Sequence, residues 1–487
     1  MLRSTVLLSL ALLAGRFAGL ARELSLASLF GISRDADVAV LLLVLPDLMV
    51  NLLVSGGLGA ALLPRFALLD PAGRAALYRN VAAVSLCVFG VLAVMVALFP
   101  RLVFQILAPG VALPVNPVIV GAVALAMPLT ALAGVTGAYL NAANRFFITG
   151  CGTLIFNLCV LAALFLVRSP TDALRLLSLG ILVGAAVRWA VQLLVLPPQV
   201  WHGWQQTFHL DGPLLRAFCA ASLAAALTLL APVLVRAIAS TVGPGAIASL
   251  NYAQKLVELP VAILITSIST VALSRLSKLY AENKTEMASH TLSRDMQYAL
   301  LLSLAVVLFG LAFADAAVQV LFGRGQMGAA ALARVTALTK IALLGIPAVA
   351  VSGLAIVDLS ARQLNGTVLR QTLLSLALLP LLATPGILTG SETLLMVAVV
   401  GFQWVQAILM TRVANLSLCR PRALLNNPAC RAAVIIVFIA AVAGGVDLVT
   451  SLHNPWLRIT MAGAGFGLAL SFPVRKFARA MPQAGMT

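Results

Sequence analysis

Charged side chains are scarce: Asp, Glu, Lys and Arg make up 10% of the 487 residues, against about 25% in an ordinary soluble domain. Acids are scarcer than bases, 15 against 32. The six cysteines, Cys87, Cys151, Cys159, Cys219, Cys419 and Cys430, include no CxxC pair. That excludes a thiol metal knuckle or a dithiol redox motif and leaves them as small hydrophobes. The four histidines, His202, His209, His290 and His453, stand in loop segments without metal-ligand spacing, so no metal and no cofactor is expected. Clustered acids or a nucleophile beside a base are missing as well, which argues against an enzyme. No segment between the apolar runs is long enough to fold alone as a catalytic domain.

Apolar residues fill the space instead, at 62% of the chain with a mean hydropathy of +1.07. Runs of the roughly 20 residues that cross a bilayer fall near 5–31, 37–63, 80–99, 117–139, 147–167, 175–197 and 214–239. A second set falls near 246–273, 296–320, 333–357, 368–388, 391–414, 432–450 and 455–472. They predict an all-α polytopic membrane protein of about fourteen transmembrane helices. The N-terminal run resembles a signal peptide but continues past Arg16 and Arg22 without a small-residue cleavage site, so it is read as the first helix.

The formal charge of +17 invites a nucleic-acid reading, which topology removes. With the N-terminus placed in the cytoplasm, nineteen of the 32 Lys and Arg fall in cytoplasmic loops and tails and six on the opposite side, the bias expected of inner-membrane proteins. Both termini are therefore expected inside, with no nucleic acid as partner. Contact of these bases with anionic membrane lipids is expected in its place.

A weak internal repeat runs at an offset of roughly 210 to 220 residues. Leu45-Pro46-Asp47 through Leu63-Pro64-Arg65 resembles Leu259-Pro260-Val261 through Leu273-Ser274-Arg275, and Tyr139-Leu140-Asn141 sits where Asp358-Leu359-Ser360 sits in the second copy. Six helices followed by six in the same orientation form a parallel repeat, which places a central site between two lobes. The expected organisation is a first lobe at 1–200, a second at 201–415, and a terminal hairpin with a basic tail at 416–487.

Ionisable residues inside the runs are the best functional clue, because each costs roughly 2.5–3.5 kcal/mol to insert. The first helix carries Arg16, Arg22 and Glu23. Helical geometry puts Arg16 and Glu23 on one face, so one reading is an Arg16–Glu23 couple and the other is a cavity lining. Helix eight carries Lys255 and Glu258 at i,i+3, roughly 15 Å into the membrane, where a local pair and a cavity lining are compatible. Arg16, Arg22 and Lys255 together would suit an anion, since guanidinium forks match phosphate oxygens. Asp37 near the start of helix two has two readings, an N-cap carboxylate or a gating or coupling group. The Gly15/Gly19 spacing is a common packing motif of membrane helices.

The ordered set of motifs resembles one family. Gly15-Arg16-Phe17-Ala18-Gly19-Leu20-Ala21-Arg22-Glu23, Leu29-Phe30-Gly31, Asp37, Leu45-Pro46, Leu63-Pro64, Tyr139 to Phe146 and Asn157 carry it in the first half. Tyr252 to Pro260, Leu273 to Lys278 and Leu321-Phe322-Gly323-Arg324-Gly325 carry it in the second. This pattern is similar to the MurJ (MviN) lipid II flippases of the MOP exporter superfamily. The resemblance implies a fourteen-helix transporter with a V-shaped cationic cavity, moving lipid II or a related polyprenyl-diphosphate saccharide to the outer leaflet by alternating access. It implies Arg16, Arg22 and Lys255 as substrate-binding residues, and Asp37, Glu23 and Glu258 as gating or coupling residues. Coupling to membrane potential or to an ion, a terminal hairpin that helps hold the polyprenyl tail, and cell-wall synthesis proteins as partners are implied too.

Three positions depart from that pattern. Asn51 stands where the family has an arginine, Ser55 where it has a glutamate, and Lys255 where arginine is usual. They bear on which saccharide is carried, the alternative being an oligosaccharide for capsule or exopolysaccharide export. A drug or cation exporter of the same superfamily would be expected to place acids, not deep cations, in its cavity.

Overall fold

A computed structural model describes residues 2–50, 62–111, 116–201 and 212–414. The described elements open with α1 (Leu2–Phe30), α2 (Arg34–Val50), α3 (Leu63–Leu68), α4 (Pro71–Leu98) and α5 (Pro100–Leu107). They continue with α6 (Pro117–Ala142), α7 (Phe146–Phe165), α8 (Pro170–Leu193), α9 (Gly212–Val242) and α10 (Ala246–Ala281). The last are α11 (Thr285–Phe322), α12 (Ala329–Leu343), α13 (Ile346–Ala361), α14 (Asn365–Thr389) and α15 (Glu392–Thr411). No strand occurs among the described residues. Eight described spans are long and apolar enough to cross a membrane, so the chain is an all-α, multi-pass membrane protein. Each of the first twelve apolar runs overlaps a described helix or helix pair. The last two runs, the terminal hairpin at 416–487, and Asn51 and Ser55 lie outside the described residues.

Short polar caps and prolines set the helix starts. Ser33 Oγ accepts the Ala36 N–H at 3.1 Å, Asp70 Oδ1 accepts Gly73 N–H at 3.1 Å, and Asn116 Oδ1 accepts Val118 N–H at 2.9 Å. Pro71, Pro100, Pro117 and Pro170 follow in the first turns, where a missing N–H removes no helical bond. One expected span, 333–357, is two helices: the chain breaks at Leu344–Gly345 just before Pro347, whose ring cannot accommodate the preceding carbonyl ladder.

Two helices outrun the hydropathy. α10 has 36 residues and α11 has 38, about 54 and 57 Å at 1.5 Å per residue, well beyond a hydrocarbon core of about 30 Å. The basic segment 274–295, expected as a loop, is therefore a helical hairpin that turns at Asn283, with φ 57°. Arg275, Lys278, Glu286, Arg294 and Asp295 sit on helix, with Glu282 and Lys284 in the turn between.

Two of the turns at the positions read as similar in sequence share one backbone geometry, which the α10–α11 turn at Asn283 also has. Between α6 and α7, Asn144 is left-handed at φ 60° and Arg145 N–H reaches Leu140 O at 2.8 Å. Between α13 and α14, Gln363 takes φ 60° and Leu364 N–H reaches Leu359 O at 2.8 Å. Each is a left-handed C-terminal cap. Each turn is also tied by an arginine to the end of a later helix: Arg145 Nη1 donates to Val195 O at 2.6 Å, and Arg362 Nη1 to Val413 O at 3.4 Å.

The chain forms two compact units, Met1–Ala248 with Gly325–Met327, and Ser249–Arg324 with the residues from Gly328 onward. α9 packs within the first unit, where Gly110 N–H donates to Ser240 Oγ at 3.0 Å. Compactness thus divides the chain later than the 200/201 boundary read from the repeat. The first unit has a core around Phe66, Tyr78, Val135, Tyr139 and Leu140. In the second, Leu276, Leu292, Ile346 and Leu354 form the centre.

Candidate functional site

In the first unit the polar centre lies between α1 and α7. Arg22 is 6% exposed and Glu23 3%, which would be prohibitive for lone charges in a membrane. They are not alone: Arg22 Nη2 meets Glu23 Oε1 at 2.8 Å, and Arg22 Nη1 donates to Asn157 Oδ1 at 2.9 Å. Asn157 Nδ2 in turn donates to the Gly15 carbonyl at 3.1 Å. Glu23 therefore pairs with its neighbour Arg22, which replaces the Arg16–Glu23 couple suggested by helical phase. Arg16 is exposed and has no hydrogen bond or ion pair among the described residues.

Small residues let the two helices approach this closely. A Cβ on Gly15 would stand 3.3 Å from Leu154 N, and one on Gly19 would stand 3.2 Å from Asn157 Nδ2. The Gly15/Gly19 spacing is thus the α7-packing face of α1, a stronger role than the motif alone licenses.

Asp37 is buried to 1% exposure, but it does not cap its own helix, a role held by Ser33. Its Oδ2 accepts Gly245 N–H at 2.7 Å and its Oδ1 accepts Ala248 N–H at 2.8 Å. A carboxylate on α2 thereby caps the start of α10, where backbone donors lack helical partners and the dipole favours negative charge. Gly245, at φ +80°, makes room for the approach, since a Cβ there would strike Ile32. Nearby, the Leu29-Phe30-Gly31 and Arg324-Gly325 motifs meet. Gln326 N–H donates to Ser28 O at 2.8 Å, while Gly31 and Gly325 are left-handed at φ 60° and 61°.

In the second unit Lys255 Nζ meets Glu258 Oε2 at 2.7 Å, and the two side chains are 31% and 61% exposed. An exposed ion pair in the body of a membrane helix calls for a water-filled or polar surrounding. Two further networks had no sequence signal. Arg334 Nε donates to Glu392 Oε2 at 2.5 Å and its Nη2 pairs with Oε1, while Ser249 Oγ donates to Glu392 Oε2 at 2.8 Å. Tyr280 Oη donates to the fully buried Asp358 at 2.5 Å, with Arg362 at 3.4 Å. Arg334 and Glu392, Ser249 and Glu392, and Tyr280 and Asp358 lie 58, 143 and 78 residues apart, which is why spacing could not pair them; only Asp358 and Arg362 stand at i,i+4. Among the described residues no group of His, Cys, Asp and Glu could hold a metal ion.

Of the expected site residues, the structure thus joins Arg22 with Glu23 and Lys255 with Glu258. Asp37 is held at the start of α10, and Arg16 is exposed.

Comparison with known proteins bears on this arrangement. The family model described as "Lipid II flippase MurJ" matches residues 26–463. A protein named as a probable lipid II flippase MurJ from Rhizobium tropici is 28% identical over 359 residues, covering 69% of this chain and 66% of its own length. The chain therefore matches just under two thirds of that relative. The lipid II flippase MurJ of Burkholderia cenocepacia is 25% identical over 354 residues, covering 69% of each chain. Among solved structures, a lipid II flippase MurJ in an inward closed conformation superposes with a TM-score of 0.80 at 15% identity, covering 97% of this chain and 100% of that one. An inward-facing MATE-family multidrug transporter of the MOP superfamily superposes at 0.63 with 14% identity, over 82% and 96%. These superpositions establish the shared helical fold.

Proposed function

We propose, from the premise that this chain belongs to the lipid II flippase MurJ family, that it carries lipid II from the inner to the outer leaflet of the bacterial inner membrane by alternating access. The observation that carries the reading is Arg16: an exposed guanidinium without a partner among the described residues, within a 29-residue apolar helix. Such a cation is costly in lipid and useful only where an anion visits. A diphosphate supplies that anion, and a guanidinium binds its oxygens through paired hydrogen bonds.

In this account Arg16 and Lys255 present charge to the diphosphate, and Arg22 supports from its buried network with Glu23. Glu258 balances Lys255 between substrates, and Asp37 acts in gating through the start of α10. The lobes are the repeats at 1–200 and 201–415, the hairpin at 416–487 attends the polyprenyl tail, and both termini lie in the cytoplasm. Transport draws on membrane potential or an ion gradient, and cell-wall synthesis proteins receive the product. Lys255 keeps a cation but surrenders the bidentate geometry of arginine, and with Asn51 and Ser55 it bears on which saccharide is carried.

The test is reconstitution. Purified protein in lipid vesicles loaded with lipid II should expose it at the outer surface, and Arg16→Glu should abolish exposure while leaving the protein inserted. Full activity of Arg16→Glu would remove the central role given to this residue.

A further inference from the structure

Beside Arg22 and Glu23, a buried polar side chain that the anion reading does not itself use is that of Asn157, at 3% exposure on α7. We propose that Asn157 is a positioning residue for the anion site, acting by fixing the segment of α1 that carries Arg16. The proposal rests on the reading of Arg16 as a diphosphate ligand.

Both ends of the Asn157 amide are used, and both on α1. Nδ2 donates to the Gly15 carbonyl at 3.1 Å, and Oδ1 accepts from Arg22 Nη1 at 2.9 Å. Gly15 and Arg22 lie about two turns apart, and the Arg22 side chain closes the gap by running toward the helix N-terminus, as helical side chains do. One amide therefore pins α1 at two levels. Glycines at 15 and 19 bring the backbones close enough for this, since a Cβ at 19 would stand 3.2 Å from Nδ2.

Gly15 immediately precedes Arg16. Holding its carbonyl against α7 sets the rotation of α1 at that point, and the next residue then projects about 100° away, where Arg16 is found exposed. The chemistry demands asparagine. A carboxylate at 157 could still accept from Arg22 but would set an acceptor against the Gly15 carbonyl. A leucine could do neither. Glu23 completes the arrangement by pairing with Arg22 at 2.8 Å, and Arg16 is the exposed cation of this segment of α1.

The experiment is a double-mutant cycle on the full-length protein in lipid nanodiscs, with undecaprenyl diphosphate as the probe and binding measured for Arg16→Ala, Asn157→Ala, Asn157→Asp and the Arg16→Ala/Asn157→Ala pair. The expected result is a loss of affinity of about 10-fold or more for Arg16→Ala and about 5- to 10-fold for either Asn157 variant. The pair should bind no more weakly than Arg16→Ala alone, because Asn157 acts through Arg16. Multiplicative losses in the pair, or wild-type affinity in Asn157→Ala with Arg16→Ala weakened, would overturn the positioning role and leave the function standing. Wild-type affinity in Arg16→Ala would overturn the function reading itself. If Asn157→Ala does not yield a monodisperse protein, Asn157→Asp, which keeps the volume and the Arg22 bond, decides through its own cycle with Arg16→Ala. A residue that merely stabilised the fold would lower yield without this non-additivity.

Discussion

Replacing Asp37 by alanine should loosen the first turn of α10 locally and measurably. Its carboxylate holds Gly245 N–H at 2.7 Å and Ala248 N–H at 2.8 Å in a site 1% exposed. A hydrogen bond to a charged group contributes about 1.5–3 kcal/mol, and every 1.4 kcal/mol is a factor of about ten. Each amide should therefore exchange with deuterium about 10- to 100-fold faster in Asp37→Ala. Asp37→Asn keeps one acceptor oxygen but loses the charge that the helix terminus favours, and should fall between. The assay is hydrogen exchange by mass spectrometry on peptides covering 243–250, with the protein in nanodiscs and the α6–α7 turn as internal control. Unchanged exchange in Asp37→Ala would refute the capping role, and equal acceleration at the control turn would show global rather than local loosening.

Other consequences follow from the same geometry. Gly325→Ala places a Cβ 2.1 Å from Ser28 O at φ +61°, a conformation that costs a non-glycine residue about 1–2 kcal/mol before any clash, and should lower the thermal midpoint of the detergent-solubilised protein. Tyr280→Phe removes the hydroxyl that donates to the fully buried Asp358 and should destabilise the second unit by about 1–3 kcal/mol, read by chemical denaturation. Arg334→Ala and Glu392→Ala should each destabilise by about 1 kcal/mol, with the double variant little worse than either, because they remove the same bidentate pair; strict additivity would show that the pair is not coupled.

Membrane helices are legible because the bilayer forces each to satisfy its own backbone and to be apolar on a fixed length scale. The first twelve runs accordingly overlap helices. The errors lie where that scale stops applying. α10 and α11 continue beyond the apolar runs with Arg275, Lys278 and Arg294 on them, so hydropathy ends before the helix does. Within the site, Arg22, Glu23, Asp37 and Lys255 stood out because a charge is expensive in an apolar run. The distant partners of Arg22 and Asp37 did not, whereas the local Lys255–Glu258 pair did. Asn157 lies 135 residues from Arg22 and Gly245 lies 208 from Asp37, and helical phase, which sees only one helix, proposed Arg16 for Glu23 and a local cap for Asp37. The repeat is read from a handful of similar residues, and the left-handed caps at Asn144, Asn283 and Gln363 are a backbone property that no residue identity announced.

The central claim is outward transport of lipid II dependent on Arg16. The most direct measurement expresses the chain in bacteria depleted of their own lipid II flippase and follows growth together with lipid II exposed at the outer face of the inner membrane. The account predicts that the wild-type chain restores both and that Arg16→Ala, inserted at equal level, restores neither. Failure of the well-inserted wild-type chain to restore exposure, or rescue indifferent to Arg16, would contradict it.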